Sequence, residues 1–182
     1  NAAGEATFTI NGVQVTALPD RINEKLGQRA FTWSEFSFTP PKEVEITPEN
    51  ENLPMGDIPP IDVTLRIWTE FASEAAKQEQ PGYGVGTRPI DQKTLRFHER
   101  GHGAAWFKFI EDNKPPEFTG RAGMRPADYN AAIRTYKTAM EQYRIKAENY
   151  SFTETDCVNT EKLPTAADLA GTRFTVAMCF ER

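Results

Sequence analysis

The only two histidines in these 182 residues stand four apart, in Leu95-Arg96-Phe97-His98-Glu99-Arg100-Gly101-His102-Gly103. On a helix, positions i and i+4 lie one turn apart on the same face, so both imidazoles can reach a single ion. Glu99 sits about 100° around the axis from His98. A zinc ion held by such ligands lowers the pKa of its water to about 7, and a neighbouring carboxylate can take the proton as attack begins. The pattern His-Glu-x-x-His therefore points to metal-assisted hydrolysis, with His98 and His102 as ligands and Glu99 as general base. Short motifs also recur by chance, and two structural histidines are the competing explanation. The context favours the metal: Leu95, His98, His102, Trp106 and Phe109 follow one another at spacings of three and four, forming one apolar stripe. Imidazoles on a buried face need polar partners, and one ion satisfies both.

A helix carrying this motif needs elements to hold it. Gly101 and Gly103 each cost a helix about 1 kcal/mol relative to alanine, which suggests that another element approaches closely there. Pro89 and Asp91 suit the first turn of the motif helix, and Asn113 to Pro116 stops it. Asp128 is placed to cap a second long helix. On that helix Tyr129, Tyr136, Tyr143 and Tyr150 recur every seven residues with Ile133, Met140 and Ala147 between them. Such a stripe predicts nearly antiparallel packing along the motif helix. Glu141, Arg144 and Glu148 fall off the stripe and read as a solvated face, paired with one another or with Lys137.

Upstream, Thr7 to Ile10 and Val13 to Thr16 read as strands joined by an Asn11-Gly12 turn. Leu18, Ile22 and Leu26 keep helical spacing, with Gly27 placed to end a short helix. Phe31 and Trp33, then Phe36 and Phe38, alternate on either side of a register break and predict one or two half-buried strands. Val44 to Thr47 is a further strand candidate. Residues 48–60 are too proline-rich for a central strand. Ile61, Val63, Leu65 and Ile67 alternate cleanly with polar neighbours, the best strand signal in the chain. Thr69 to Gln80 fits helix or extension. Pro81-Gly82-Tyr83-Gly84-Val85-Gly86 lacks the lysine of a phosphate loop and reads as a mobile rim. Phe174, Val176 and Met178 alternate as a terminal strand.

Composition narrows the function classes. A formal charge of −5 with no basic block argues against a nucleic-acid partner. No apolar run approaches the roughly 20 residues needed to cross a bilayer. The chain begins with Asn1, as a mature or trimmed form would. Cys157 and Cys179 are the only cysteines. One follows the long helix and the other lies in the terminal strand, a placement that suggests a disulfide; the alternative is two buried free thiols. Closing a loop of about 22 residues would stabilise the fold by roughly 3 kcal/mol and points to an oxidising compartment.

With these features on the page, the chain resembles a bacterial family of predicted secreted zinc-dependent proteases, catalogued mainly as a domain of unknown function. The resemblance covers most of the chain: the opening strand and Asn11-Gly12 turn, the segment to Gly27, Phe31-Thr32-Trp33, the strand Val63 to Ile67, Phe97-His98-Glu99-Arg100-Gly101-His102, and the helix ending at Tyr150. Only the histidine motif is chemically specific. The resemblance implies an α+β, zincin-like fold, with a small mixed or antiparallel sheet packed on the motif helix and a second long helix. Residues 1–60 would form a β-rich lobe and residues 61–182 the metal-binding core, together one compact unit. It also implies Zn2+ as cofactor, a protein or peptide substrate, and an extracytoplasmic location.

The chain departs from that family at one position. The family's second helix ends in Tyr-Asp-x-x-Thr-x-His-Gly, whose histidine is a plausible third ligand. Here the run is Tyr150-Ser151-Phe152-Thr153-Glu154-Thr155-Asp156-Cys157, so Asp156 stands where that histidine would be. Without a third histidine the ligand must be a carboxylate, a tyrosinate or a free cysteine. Asp156, just beyond the expected helix end, matches the family position; Glu154 is the fallback, and Glu141 and Glu148 have basic neighbours at helical spacing. Two functions follow: a zinc-dependent peptidase, or an inactive relative that binds or supports other molecules of the cell envelope. Glu99 favours the first, because a purely structural zinc site needs no base.

Overall fold

A computed structural model describes residues 4–78 and 95–157. The expectations for the 81–86 rim, for Pro89 and Asp91, for the terminal strand and for Cys179 lie outside those residues. The elements are β1 (Ala6–Ile10), β2 (Val13–Ala17), β3 (Arg21–Ile22), β4 (Ala30–Phe38), β5 (Val63–Phe71), α1 (Glu74–Gln78), α2 (Leu95–Asp112) and α3 (Pro126–Asp156). This is a mixed α+β arrangement: one five-stranded sheet with both parallel and antiparallel pairs, and two long helices. Among the described residues no helix is long and apolar enough to cross a membrane.

Strand β5 organises the sheet. It runs parallel to β2 and then to β3, and antiparallel to all nine residues of β4. The sheet therefore joins segments on both sides of residue 60. Antiparallel β1 and β2 turn through Asn11 and Gly12, both at positive φ (48° and 83°), which is the backbone that an Asn-Gly hairpin requires. The Asn11 side chain then does a second job. Its Nδ2 donates to the carbonyls of Ile110 (2.8 Å) and Glu111 (2.9 Å), two acceptors left open at the end of α2. The inner sheet face supplies Val13, Val15, Leu65 and Ile67 to a core completed by Trp106, Phe109 and Ile110 of α2 and by Tyr143 and Ala147 of α3.

Helices α2 and α3 pack antiparallel. Going up α2 from His98 through His102 and Phe109 to Asn113, the partners on α3 run down from Asp156 through Ser151 and Tyr150 to Tyr143. The tyrosine stripe faces the core as its seven-residue spacing predicts: Tyr129, Tyr136 and Tyr143 are buried. Burial pushes the Tyr143 phenol up to about 12, and its hydroxyl donates to the Asn113 carbonyl at 2.7 Å. Arg144 pairs with Glu141 and Glu148 off the stripe, whereas Lys137 lies near Glu43, at 3.9 Å, rather than joining that group.

At Gly101 the two helices approach closely. A Cβ built there would lie 3.0 Å from Thr155 Cγ2, tighter than most real contacts, so the threonine would have to give way. Alanine would ordinarily gain about 1 kcal/mol of helix propensity here, but overpacking a buried contact costs about 1–3 kcal/mol. Gly101→Ala is therefore expected to lower unfolding free energy in urea titrations, and adding Thr155→Ser, which removes Cγ2, to recover most of the loss. Equal or greater stability for the single variant would refute the close-packing account. Gly103 faces Ile67 Cδ1 at an ordinary 3.6 Å and needs no such explanation.

Several expectations are corrected. Leu18 to Leu26 is not helical. Pro19 interrupts the segment, Arg21–Ile22 forms β3, and backbone bonds from Leu18 N to Ile67 O and from Asn23 N to Phe71 O carry it along β5. The break between Trp33 and Phe36 is not a bulge: β4 keeps unbroken register from Ala30↔Phe71 to Phe38↔Val63. The parity of the aromatics changes because they occupy opposite faces, Trp33 stacking on Trp68 outside and Phe36 on Trp106 inside. Val44 to Thr47 is not a strand; the Asn130 side-chain amide binds both backbone groups of Val44, taking the place of a strand partner. Asp128 does not cap α3, which begins at Pro126 after Arg125; Asp128 lies in its first turn and pairs with Arg125 at 3.2 Å. Finally, α3 does not stop near Tyr150 but continues to Asp156.

Candidate metal centre

The first turns of α2 and the last turn of α3 meet at His98, His102 and Asp156, which can hold a metal ion: one ligand atom from each lies within 4.8 Å of the others. Helical spacing puts His98 and His102 on one face, their rings 5.4 Å apart and nearly perpendicular. Asp156 reaches them because α3 runs on for six residues past Tyr150. Its Oδ1 lies 3.2 Å from His98 Nε2 and 3.4 Å from His102 Nε2.

The two separations lie at the long end of N–H···O bonds and near the roughly 3.3 Å between neighbouring ligand atoms of a tetrahedral ion, so the arrangement admits either a shared proton or a metal. Burial pushes the Asp156 carboxyl up, but hydrogen bonds with His102 and His98 and electrostatic attraction to them outweigh it and hold its pKa at about 2. The group is thus an anion at any physiological pH, as a ligand must be.

Behind His102, Ser151 fills a gap that no sequence signal revealed. Its Oγ lies 3.3 Å from His102 Nδ1 and donates to the His102 carbonyl at 3.0 Å. The Phe152 ring stands edge-on to the same imidazole at 5.4 Å.

Glu99 is buried but lies outside the three-ligand group, turned toward the sheet. Thr32 Oγ1 donates toward its Oε2 (2.8 Å) and its backbone carbonyl (2.9 Å), and Thr69 Oγ1 stands 3.1 Å behind Thr32. Thr32 can do this because unbroken register on β4 turns it inward while Phe31 and Trp33 face out. Glu99, Thr32 and Thr69 line a cleft of about 640 Å³ whose other walls include Ile67, Arg96 and Phe107. At its rim Arg96 pairs with Asp20 at 2.7 Å.

The remaining carboxylates divide clearly. Glu148 is taken up by Arg144, and neither Glu148, Glu141 nor the fallback Glu154 belongs to the ligand group. Cys157, fully buried at the end of α3, is disulfide-bonded and so is no thiolate ligand. Cys179, the other cysteine of the chain, lies outside the described residues. Compared with known proteins, the chain matches no family model, no curated protein and no solved structure.

Proposed function

We propose that this chain is a zinc-dependent peptidase that works outside the cytoplasm, of the zincin-like kind that its sequence resembles. The observation that carries the reading is that His98, His102 and Asp156 each bring one ligand atom within 4.8 Å of the others, close enough to share an ion. Two neutral imidazoles and one carboxylate are a donor set that suits zinc, and a tetrahedral ion held by them would have a fourth position for water or substrate. When bound, zinc supplies a water acidic enough to be deprotonated near neutral pH.

The chain's own residues would supply the rest. Glu99, next to His98 on the helix, acts as general base and then returns the proton to the leaving amine. Thr32 holds the Glu99 carboxylate by donating to its Oε2. The cleft that Glu99 lines gives a peptide segment somewhere to lie against the helix. The disulfide state of Cys157 supports an oxidising compartment.

The test is metal analysis of protein purified without chelator, together with hydrolysis of a fluorescence-quenched peptide mixture. Stoichiometric zinc and hydrolysis, both abolished in His98→Ala, are expected. Zinc without hydrolysis would transfer the chain to the inactive, envelope-binding reading, and a protein with no affinity for zinc would end both.

A further inference from the structure

We infer that Ser151 is a positioning residue for the metal centre: its hydroxyl anchors a proton on His102 Nδ1, so that Nε2 is the nitrogen left to bind a metal beside Asp156. The inference rests on the metal-centre reading above but concerns a different residue and a different measurement.

The argument is a count of protons. A serine hydroxyl has one hydrogen and two lone pairs. Ser151 Oγ gives its hydrogen to the His102 backbone carbonyl, 3.0 Å away. At its other contact, 3.3 Å from His102 Nδ1, the same oxygen can only accept. Nδ1 must therefore carry the proton of the neutral ring, and Nε2 is left as the ligand atom. Nε2 is also the nitrogen that faces Asp156 Oδ1. The two ends of the ring thus agree: the proton is anchored at the back, and Nε2 points into the ligand triangle.

The placement is specific to this helix pair. Serine within a helix commonly bonds back to its own chain four residues earlier. Ser151 instead reaches across to α2, 49 positions away, from a site only 3 % exposed where water does not compete. It can do so because Gly101 lets the Thr155 turn of α3 approach α2 closely. A metal-ligating histidine whose second nitrogen donates to a fixed acceptor is better oriented, and losing such an acceptor typically costs 10- to 100-fold in metal affinity.

The experiment compares the full chain with Ser151→Ala and Ser151→Thr. Zinc dissociation constants are measured against a competing chelator, and His102 Nδ1–H is followed by proton NMR of the zinc-loaded, 15N-histidine-labelled protein. The parent and Ser151→Thr should show a slowly exchanging Nδ1–H with nitrogen shifts of an Nε2-ligated ring. Ser151→Ala should bind zinc about 10- to 100-fold more weakly and lose the slow exchange. Unchanged affinity and exchange in Ser151→Ala would overturn the inference while leaving the metal centre standing. So would a loss that Ser151→Thr fails to restore while both variants unfold like the parent, because it would trace to packing and not to the hydroxyl. A parent chain that binds no zinc would overturn the metal-centre reading itself and this inference with it.

Discussion

Asp156→Ala is expected to lower zinc affinity by more than the roughly 10- to 100-fold that follows loss of a supporting hydrogen bond, whereas Glu148→Ala leaves it unchanged. Asp156 is the sole carboxylate in the ligand triangle and the only group there that brings negative charge. Removing it leaves two imidazoles, too few to hold zinc against solvent. Glu148 is committed to Arg144, which also holds Glu141; its loss costs an ion pair, not a ligand. Chelator-competition titrations of both variants decide the matter, and zinc binding that survives Asp156→Ala but fails in Glu148→Ala would move the third ligand to the middle of α3. The same residue predicts an acid limb of stability in zinc-free protein. Its pKa is about 2 when folded, against a reference of 3.8. A depressed carboxyl stabilises the fold above its unfolded value and loses that contribution as pH falls through the folded one. The window is therefore from about pH 4 down to about pH 2, with about 2 kcal/mol at stake. Asp156→Asn should flatten urea-unfolding stability across that window, and an undiminished slope would contradict the assignment.

Glu99→Gln is expected to keep zinc and to lose about 10²- to 10⁴-fold in peptide hydrolysis. The amide preserves size and can still accept from Thr32, so the helix and ligand triangle should persist. What it cannot do is take a proton. Zinc content and single-turnover rates measured on the same sample separate these effects. A variant hydrolysing at nearly the parent rate would remove Glu99 from the chemistry; one that lost zinc would show that the carboxylate supports the ligands. Thr32→Val offers a milder comparison, since it frees the carboxylate without deleting it.

Where the sequence was legible, the cause was local. Asn11-Gly12 forces positive φ at two consecutive positions, and the alternation from Val63 to Ile67 has one buried face, so hairpin and central strand follow from neighbouring residues alone. The histidine pair is likewise one helical turn. Segments failed where two structures share a pattern. Leu18, Ile22 and Leu26 suit a helix face, but a strand beside β5 also takes every second residue, and Pro19 with the β5 backbone decides it. On β4, aromatics on both faces imitate a register break. The end of α3 was misplaced because the resemblance ends that helix at Tyr150; Ser151, Thr153 and Thr155 are weak helix formers, yet all three are helical and buried here. Thr32 and Ser151 were invisible for another reason. Each acts on a residue 67 or 49 positions away, and no periodicity encodes such a meeting.

The amide of Asn11, holding the last carbonyls of α2, has a consequence for how the molecule breathes. A helix normally frays from its ends, and amide hydrogens there exchange first. Here the far end of the histidine helix is tied to the tip of the first hairpin, about a hundred residues earlier in the chain. Fraying that end means releasing the hairpin turn, so the two should open as one cooperative unit rather than separately. The rotation of α2 about its own axis is pinned at the end opposite His98, and with it the direction in which both imidazoles point. A turn at the edge of the sheet thus helps to aim ligands at the other end of the helix.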